Sequence, residues 1–312
     1  MKEFFEALNT KANIKRTDII EKDFHLHRLL YEISTDDYLK DNLVFKGGTC
    51  LIKTYLDYYR FSEDIDFTWA GKRNLSGKST SETKRNCSSE ITLLCERVKK
   101  IADELGFTFS GDKRNPLDVH ISSGGLMVYF NLGYNSTILD VPAKVKIELN
   151  FIDIRLYPTK TNVLRSYIDM LDDEELKYLH EELWGEYARP ISMACYDPRE
   201  IYVEKCRAAL TRIKYKLRDV LDIYYIEKKF GFIMDEFRSQ IIEKTRFSID
   251  LYSRYGESIE MPSMPPLDAL KSEEMTFLIN MKRPSTGSAP AFIGIRSLAS
   301  ERCGKGRGPH DP

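Results

Sequence analysis

The sequence has no excess of either charge. Its 47 Lys and Arg face 48 Asp and Glu, a formal net charge of -1 over 312 residues. Any case for a nucleic-acid or membrane partner therefore rests on local clusters. None of the six cysteines (Cys50, Cys87, Cys95, Cys195, Cys206 and Cys303) forms a CxxC pair. That speaks against a zinc ribbon and a thioredoxin-like redox site, and the scatter fits reduced cytosolic cysteines rather than a disulfide framework. No apolar run reaches the ~20 residues of a membrane span. The N-terminus, MKEFFEALNTKANIKRTDII, breaks its apolar residues with charges, unlike a signal peptide. The expectation is a soluble, cytoplasmic protein with no membrane partner. Walker A, Rossmann and G-x-S-x-G patterns are also missing. His25 and His27 stand two apart on a predicted helix, where they do not face together, so no zinc site is expected there.

What is present divides into an α+β pattern. Thr17, Asp18 and Glu21 read as a helix start with a capping box over residues 17–33. Leu43-Val44-Phe45 reads as a buried strand ending at Gly47-Gly48, followed by a helix over 49–59. Ile65, Phe67 and Trp69 then alternate with Asp64, Asp66 and Thr68 as a second strand. Residues 71–89, with five basic residues and one acidic one, lack periodicity and read as a mobile loop. A helix is expected over 90–105, and strands near 117–121, 126–132 and 144–154, with a hairpin turn at Gly124-Gly125. Helical patterns cover 168–183, 198–229, 235–254 and 268–281. The expected organisation is an α/β domain with N-terminal helices over 1–158, a helical domain over 159–282, and a disordered tail over 283–312.

The chemistry begins with Asp64 and Asp66. A period of two points both to one strand face, while Ile65 and Phe67 enter the core. Neighbouring carboxylates repel and favour a divalent cation, and oxygen-only ligands suit Mg²⁺ or Mn²⁺. Alone, the pair reads first as a solvated strand face. Gly47-Gly48-Thr49 lies one helix upstream, where glycines let backbone N–H groups approach a phosphate and the Thr49 hydroxyl adds a donor. Together these suit metal-assisted nucleotidyl transfer. Glu148 in VKIELNFID is the first choice for a third carboxylate, and Asp153, of opposite parity, is the second. Residues 204–226 combine an apolar helical stripe with six basic residues and no acidic one between Lys205 and Arg218. Asp219 and Asp222 follow on one face. This run reads either as a solvated basic face or as Lys205 reaching triphosphate oxygens beside arginines that hold an RNA backbone.

These residues resemble the AbiEii/AbiGii-type nucleotidyltransferase toxins of the DNA polymerase β-like superfamily. The family's first motif is a glycine pair with Thr or Ser, about a dozen residues, then Arg-x-Ser-x-Asp-x-Asp. It is matched by Gly47, Gly48, Thr49, Arg60, Ser62, Asp64 and Asp66. The later motif is matched by Lys205, Ala209, Leu210, Arg212, Arg218, Asp219 and Asp222, and the resemblance spans about residues 15–230. It implies a polymerase β-like α/β core followed by helices, and a toxin of a toxin–antitoxin pair tied to abortive phage infection. It also implies transfer of NMP from an NTP to an RNA 3′ end, tRNA in some relatives. Asp64 and Asp66 would then bind metal. Gly47, Gly48, Thr49, Arg60, Ser62, Arg212 and Arg218 would hold the nucleotide. Lys205 would contact its phosphates, and Asp222 or Asp219 would be a further catalytic acid. The expected ligands and partners are Mg²⁺ or Mn²⁺, an NTP, an RNA and a cognate antitoxin. The alternatives are transfer to a protein or small molecule, or a non-catalytic relative that only binds an antitoxin.

Overall fold

In the computed structural model the described residues are 1–14, 16–70, 80–212 and 216–251. The 71–79 part of the expected loop, the 268–281 helix and the 283–312 tail lie outside them. The described chain forms two compact units, one of residues 1–153 and 158–196, the other of 154–157 and 197–251.

The first unit opens with helices α1 (Lys2–Ala12), α2 (Asp18–Thr35) and α3 (Asp37–Asn42). Strand β1 (Leu43–Lys46), helix α4 (Gly47–Thr54) and strand β2 (Asp64–Trp69) follow. Helix α5 (Thr80–Leu105) leads to β3 (Val119–Ser122), β4 (Met127–Asn135), β5 (Pro142–Asn150) and β6 (Lys160–Leu164). Short helices α6 (Glu174–Leu179) and α7 (Glu181–Tyr187) precede β7 (Ile191–Cys195). The strands make one seven-stranded sheet in the order β3-β4-β5-β2-β1-β7-β6. The β2–β5 and β1–β7 pairs are parallel and the rest antiparallel. Ile65, Phe67, Ile147 and Leu149 are buried from one face, as their parity requires.

Helix α2 packs against β5, β7, α5 and α7. It buries charge as well as apolar surface. Asp23 accepts hydrogen bonds from Lys53 Nζ at 3.0 Å, Tyr58 Oη at 3.0 Å and Tyr187 Oη at 2.5 Å. All four side chains are buried, so the carboxylate and the ammonium compensate one another. Burial pulls the Lys53 ammonium below its ordinary pKa, and Asp23 works against that.

Several sequence expectations change. Helix α2 starts where expected, but Thr17 makes no side-chain cap. Glu21 instead receives the backbone N–H of Thr137 at 2.6 Å and the hydroxyls of Ser136 and Thr137. It ties the helix to the β4–β5 connection. The helix after the glycines ends at Thr54, not Tyr59. Residues 80–89, read as loop, are the first turns of α5. The helical pattern from 160 onward is interrupted by β6 and β7, which complete the sheet. The 168–183 helix is a 3-10 turn (Tyr167–Met170) followed by α6 and the start of α7.

In the second unit the expected 198–229 helix is two helices, α8 (Pro198–Thr211) and α9 (Leu217–Phe230). A 3-10 turn (Met234–Phe237) and α10 (Arg238–Leu251) follow. Lys244 of α10 is buried between Glu200, 2.5 Å away, and Glu204, 3.0 Å away, both on α8. The second carboxylate oxygen of Glu200 takes the backbone N–H groups of Leu156 and Tyr157, each at 2.8 Å. These bonds draw residues 154–157 into the helical unit. Leu217, Val220, Ile223 and Ile226 bury the apolar stripe of α9.

Candidate nucleotidyltransferase site

The turn from β1 into α4 and the strand β2 are built around each other. Asp66 stands opposite Lys46 across the β1–β2 pair. Gly47 follows with φ +77°, a left-handed conformation that favours glycine. A Cβ at Gly47 would lie 2.1 Å from Asp66 Oδ2, and one at Gly48 would lie 2.5 Å from Arg60 Nη2. The glycine pair therefore admits one carboxylate and one guanidinium beside the start of α4. Arg60 is buried and donates from Nη1 to the Phe61 carbonyl at 2.9 Å. Ser62 is buried too.

Thr49 takes a place different from the one its sequence position suggests. It is buried, and its hydroxyl donates to the Asp64 backbone carbonyl. The donor expected to meet a phosphate instead fastens α4 to the first residue of β2.

The parity argument for Asp64 and Asp66 is matched by the fold: both are partly exposed on one face, and Ile65 and Phe67 are fully buried. The parallel β2–β5 register sets Asp64 opposite Lys146 and Asp66 opposite Glu148. Glu148 thus shares the face of the aspartate pair. Asp153, beyond the end of β5, accepts from Lys46 Nζ at 3.0 Å and Tyr196 Oη at 2.7 Å. Lys146 Nζ lies 3.5 Å from Asp64 Oδ2 and 3.5 Å from Glu148 Oε2. Burial pulls the Lys146 ammonium down, but Asp64, Glu148 and Asp66 outweigh it and leave the pKa above its ordinary value.

Asp64, Asp66 and Glu148 offer carboxylate oxygens on this face, the chemistry a hard divalent cation requires. Among the described residues no three His, Cys, Asp or Glu side chains converge as a ready-made metal cage. Mg²⁺ does not need one, because it is commonly held by one or two carboxylates, substrate phosphates and water. The residues fit the group on that ground. His25 and His27 lie in the protein interior, His25 against the Tyr134 ring and His27 with Nε2 3.0 Å from the Arg189 carbonyl.

The second candidate cluster lies in the helical unit. Lys205 Nζ on α8 is 2.9 Å from Asp219 Oδ1 and 2.6 Å from Asp222 Oδ2, both on α9. Arg212 also meets Asp219. Both aspartates are buried, and Lys205 is only 14% exposed. Helix α8 ends at Thr211 and α9 begins at Leu217, and the two pack so that residues 14 and 17 positions apart meet. Arg218 is half-buried, and Lys214 lies outside the described residues.

Lys46, opposite Asp66, was not among the expected site residues. Its signal was its position immediately before the glycine pair. Lys146 was visible on the face of Glu148 but had no partner until the register was known.

The family model for the nucleotidyl transferase AbiEii toxin of type IV toxin–antitoxin systems matches residues 28–291. The chain belongs to that family. The expected α+β nucleotidyltransferase class agrees with the seven-stranded sheet and its helices. Two solved structures are similar. One is JHP933 from Helicobacter pylori, at 17% identity and TM-score 0.42, covering 91% of this chain and 92% of that one. The other, from H. pylori and provisionally described as a nucleotidyltransferase, has 17% identity and TM-score 0.40, with 92% and 97% covered. No curated protein matched the sequence. Among the described residues no helix is long and apolar enough to cross a membrane.

Proposed function

We propose that this toxin-family nucleotidyltransferase moves NMP from an NTP to an RNA 3′ hydroxyl, with tRNA the first acceptor to test, in a reaction that needs Mg²⁺ or Mn²⁺. The observation that carries the reading is the carboxylate face of β2 and β5: Asp64 and Asp66 side by side, Glu148 opposite Asp66, and Asp66 lodged against Gly47. Asp64 and Asp66 would hold the cation, with Glu148 as the third carboxylate. When bound, such a cation stabilises the charge of the triphosphate and of the leaving pyrophosphate.

The remaining roles belong to the chain's own groups. The strand pairing fixes the carboxylates on a rigid element, so their spacing does not depend on a loop. The backbone N–H groups at the start of α4 favour phosphate oxygens. Arg60 lies against the glycine turn, and Thr49 anchors Asp64 through its backbone. In the helical unit, Lys205, Arg212 and Arg218 are proposed to meet substrate phosphates. Asp219 or Asp222 is the further acid, and the two together orient the lysine. A cognate antitoxin is the partner that the family implies.

A labelling assay tests this reading. Purified protein, Mg²⁺ and total tRNA are incubated with each α-labelled NTP in turn, with and without EDTA. The expected result is label on tRNA that EDTA abolishes. Label on a protein would replace RNA with a protein acceptor. No label on any acceptor, from folded protein, would favour antitoxin binding without catalysis.

A further inference from the structure

The carboxylate face already contains a cation. Lys146 projects from β5 directly opposite Asp64 in the parallel register, and its ammonium contacts a carboxylate on each of two strands, Asp64 on β2 and Glu148 on β5, at 3.5 Å each. Tyr129 of β4, which pairs with Glu148, brings its ring centroid to 5.7 Å from the same ammonium. Lys46, the lysine opposite Asp66, is held 3.0 Å from Asp153. Lys146 is two-thirds covered, with side-chain exposure of 32%, against 38% for Asp64 and 27% for Glu148. All three groups are therefore screened only in part by water. Without a cation, the acidic groups of this face would repel one another. A divalent ion entering the face meets the Lys146 charge at short range, where like charges repel most strongly.

We propose that Lys146 is the resident counter-ion of the β2–β5 carboxylates and competes with the divalent cation for them. It offsets part of the negative charge of the face in the absence of substrate and so weakens binding of the metal alone. When metal and triphosphate arrive together, the anionic phosphates give the displaced ammonium a new partner. The metal then binds best in company with the nucleotide, and Lys146 acts as a positioning residue. This inference rests on the metal reading given above.

The test measures metal binding, not turnover. Free Mn²⁺ is titrated by EPR against the full-length protein, with and without a non-hydrolysable NTP analogue. The variants are Lys146→Met, Lys146→Arg and the double variant Asp64→Asn, Asp66→Asn, each checked for cooperative thermal unfolding. Without nucleotide, Lys146→Met is expected to bind Mn²⁺ about fivefold more tightly than wild type, the scale of a partly exposed ion pair. Lys146→Arg keeps the wild-type affinity, the difference narrows when the analogue is present, and the double aspartate variant loses the site. Equal or weaker binding by Lys146→Met, with the aspartate dependence intact, overturns the counter-ion role and leaves the metal reading standing. No Mn²⁺ binding by wild type or Lys146→Met, with or without the analogue, overturns both.

Discussion

At the scale of single residues, Gly47 carries the sharpest constraint. Its positive φ disfavours any side chain, and its missing Cβ is the space that Asp66 occupies. Gly47→Ala is expected to cost about 1–2 kcal/mol from the backbone alone and to push Asp66 out of place. Chemical denaturation checks the first effect, and nucleotide incorporation should fall along with it. The glycine pair was legible in the sequence, and so was the shared face of Asp64 and Asp66, because strand parity needs no tertiary information. The company these residues keep was not. Gly47 and Gly48 read as a phosphate cradle, and nothing local showed that their open sides also admit Asp66 and Arg60. The Thr49 hydroxyl read as a ligand donor and is a brace.

At the scale of elements, what escaped the sequence follows from what local patterns encode. Strands β6 and β7 are flanked by helical patterns, and their pairing with each other and with β1 is a tertiary arrangement that local spacing does not encode. The break between α8 and α9 contains no glycine or proline between Arg212 and Lys216, so nothing local marks it. The β2–β5 register, which sets Glu148 opposite Asp66, joins strands that begin at Asp64 and Pro142, a separation no periodicity spans. The α8–α9 pairing also changes how Lys205 is understood. With two buried aspartates around it, it is a structural cation as well as a candidate phosphate contact. Lys205→Met would leave both carboxylates without that partner and should destabilise the protein by about 3–5 kcal/mol. Thermal unfolding checks this. An unchanged melting temperature would show that the α8–α9 pair does not depend on Lys205.

At the scale of the whole molecule, two buried imidazoles predict an acid limit. Burial, helped by Arg28 at His25 and by Lys53 at His27, lowers both pKa values from 6.5 to about 3. The folded protein keeps both rings neutral, while the unfolded chain takes up a proton at each below pH 6.5. Their contribution to stability is therefore intact above pH 6.5 and declines as pH falls toward 3. The slope approaches roughly 1.4 kcal/mol per pH unit for each ring. Urea denaturation between pH 7 and 4.5 should show this decline, and the double variant His25→Gln, His27→Gln should flatten it.

If the β2 carboxylates carry nucleotidyl transfer, single substitutions at them remove it. Incorporation of α-labelled nucleotide into RNA is measured for wild type, Asp64→Ala, Asp66→Ala and Asp153→Asn, with melting temperatures recorded for each. The account predicts that both alanine variants stay folded and lose incorporation, while Asp153→Asn retains most of it. Full incorporation by folded Asp64→Ala and Asp66→Ala would contradict it.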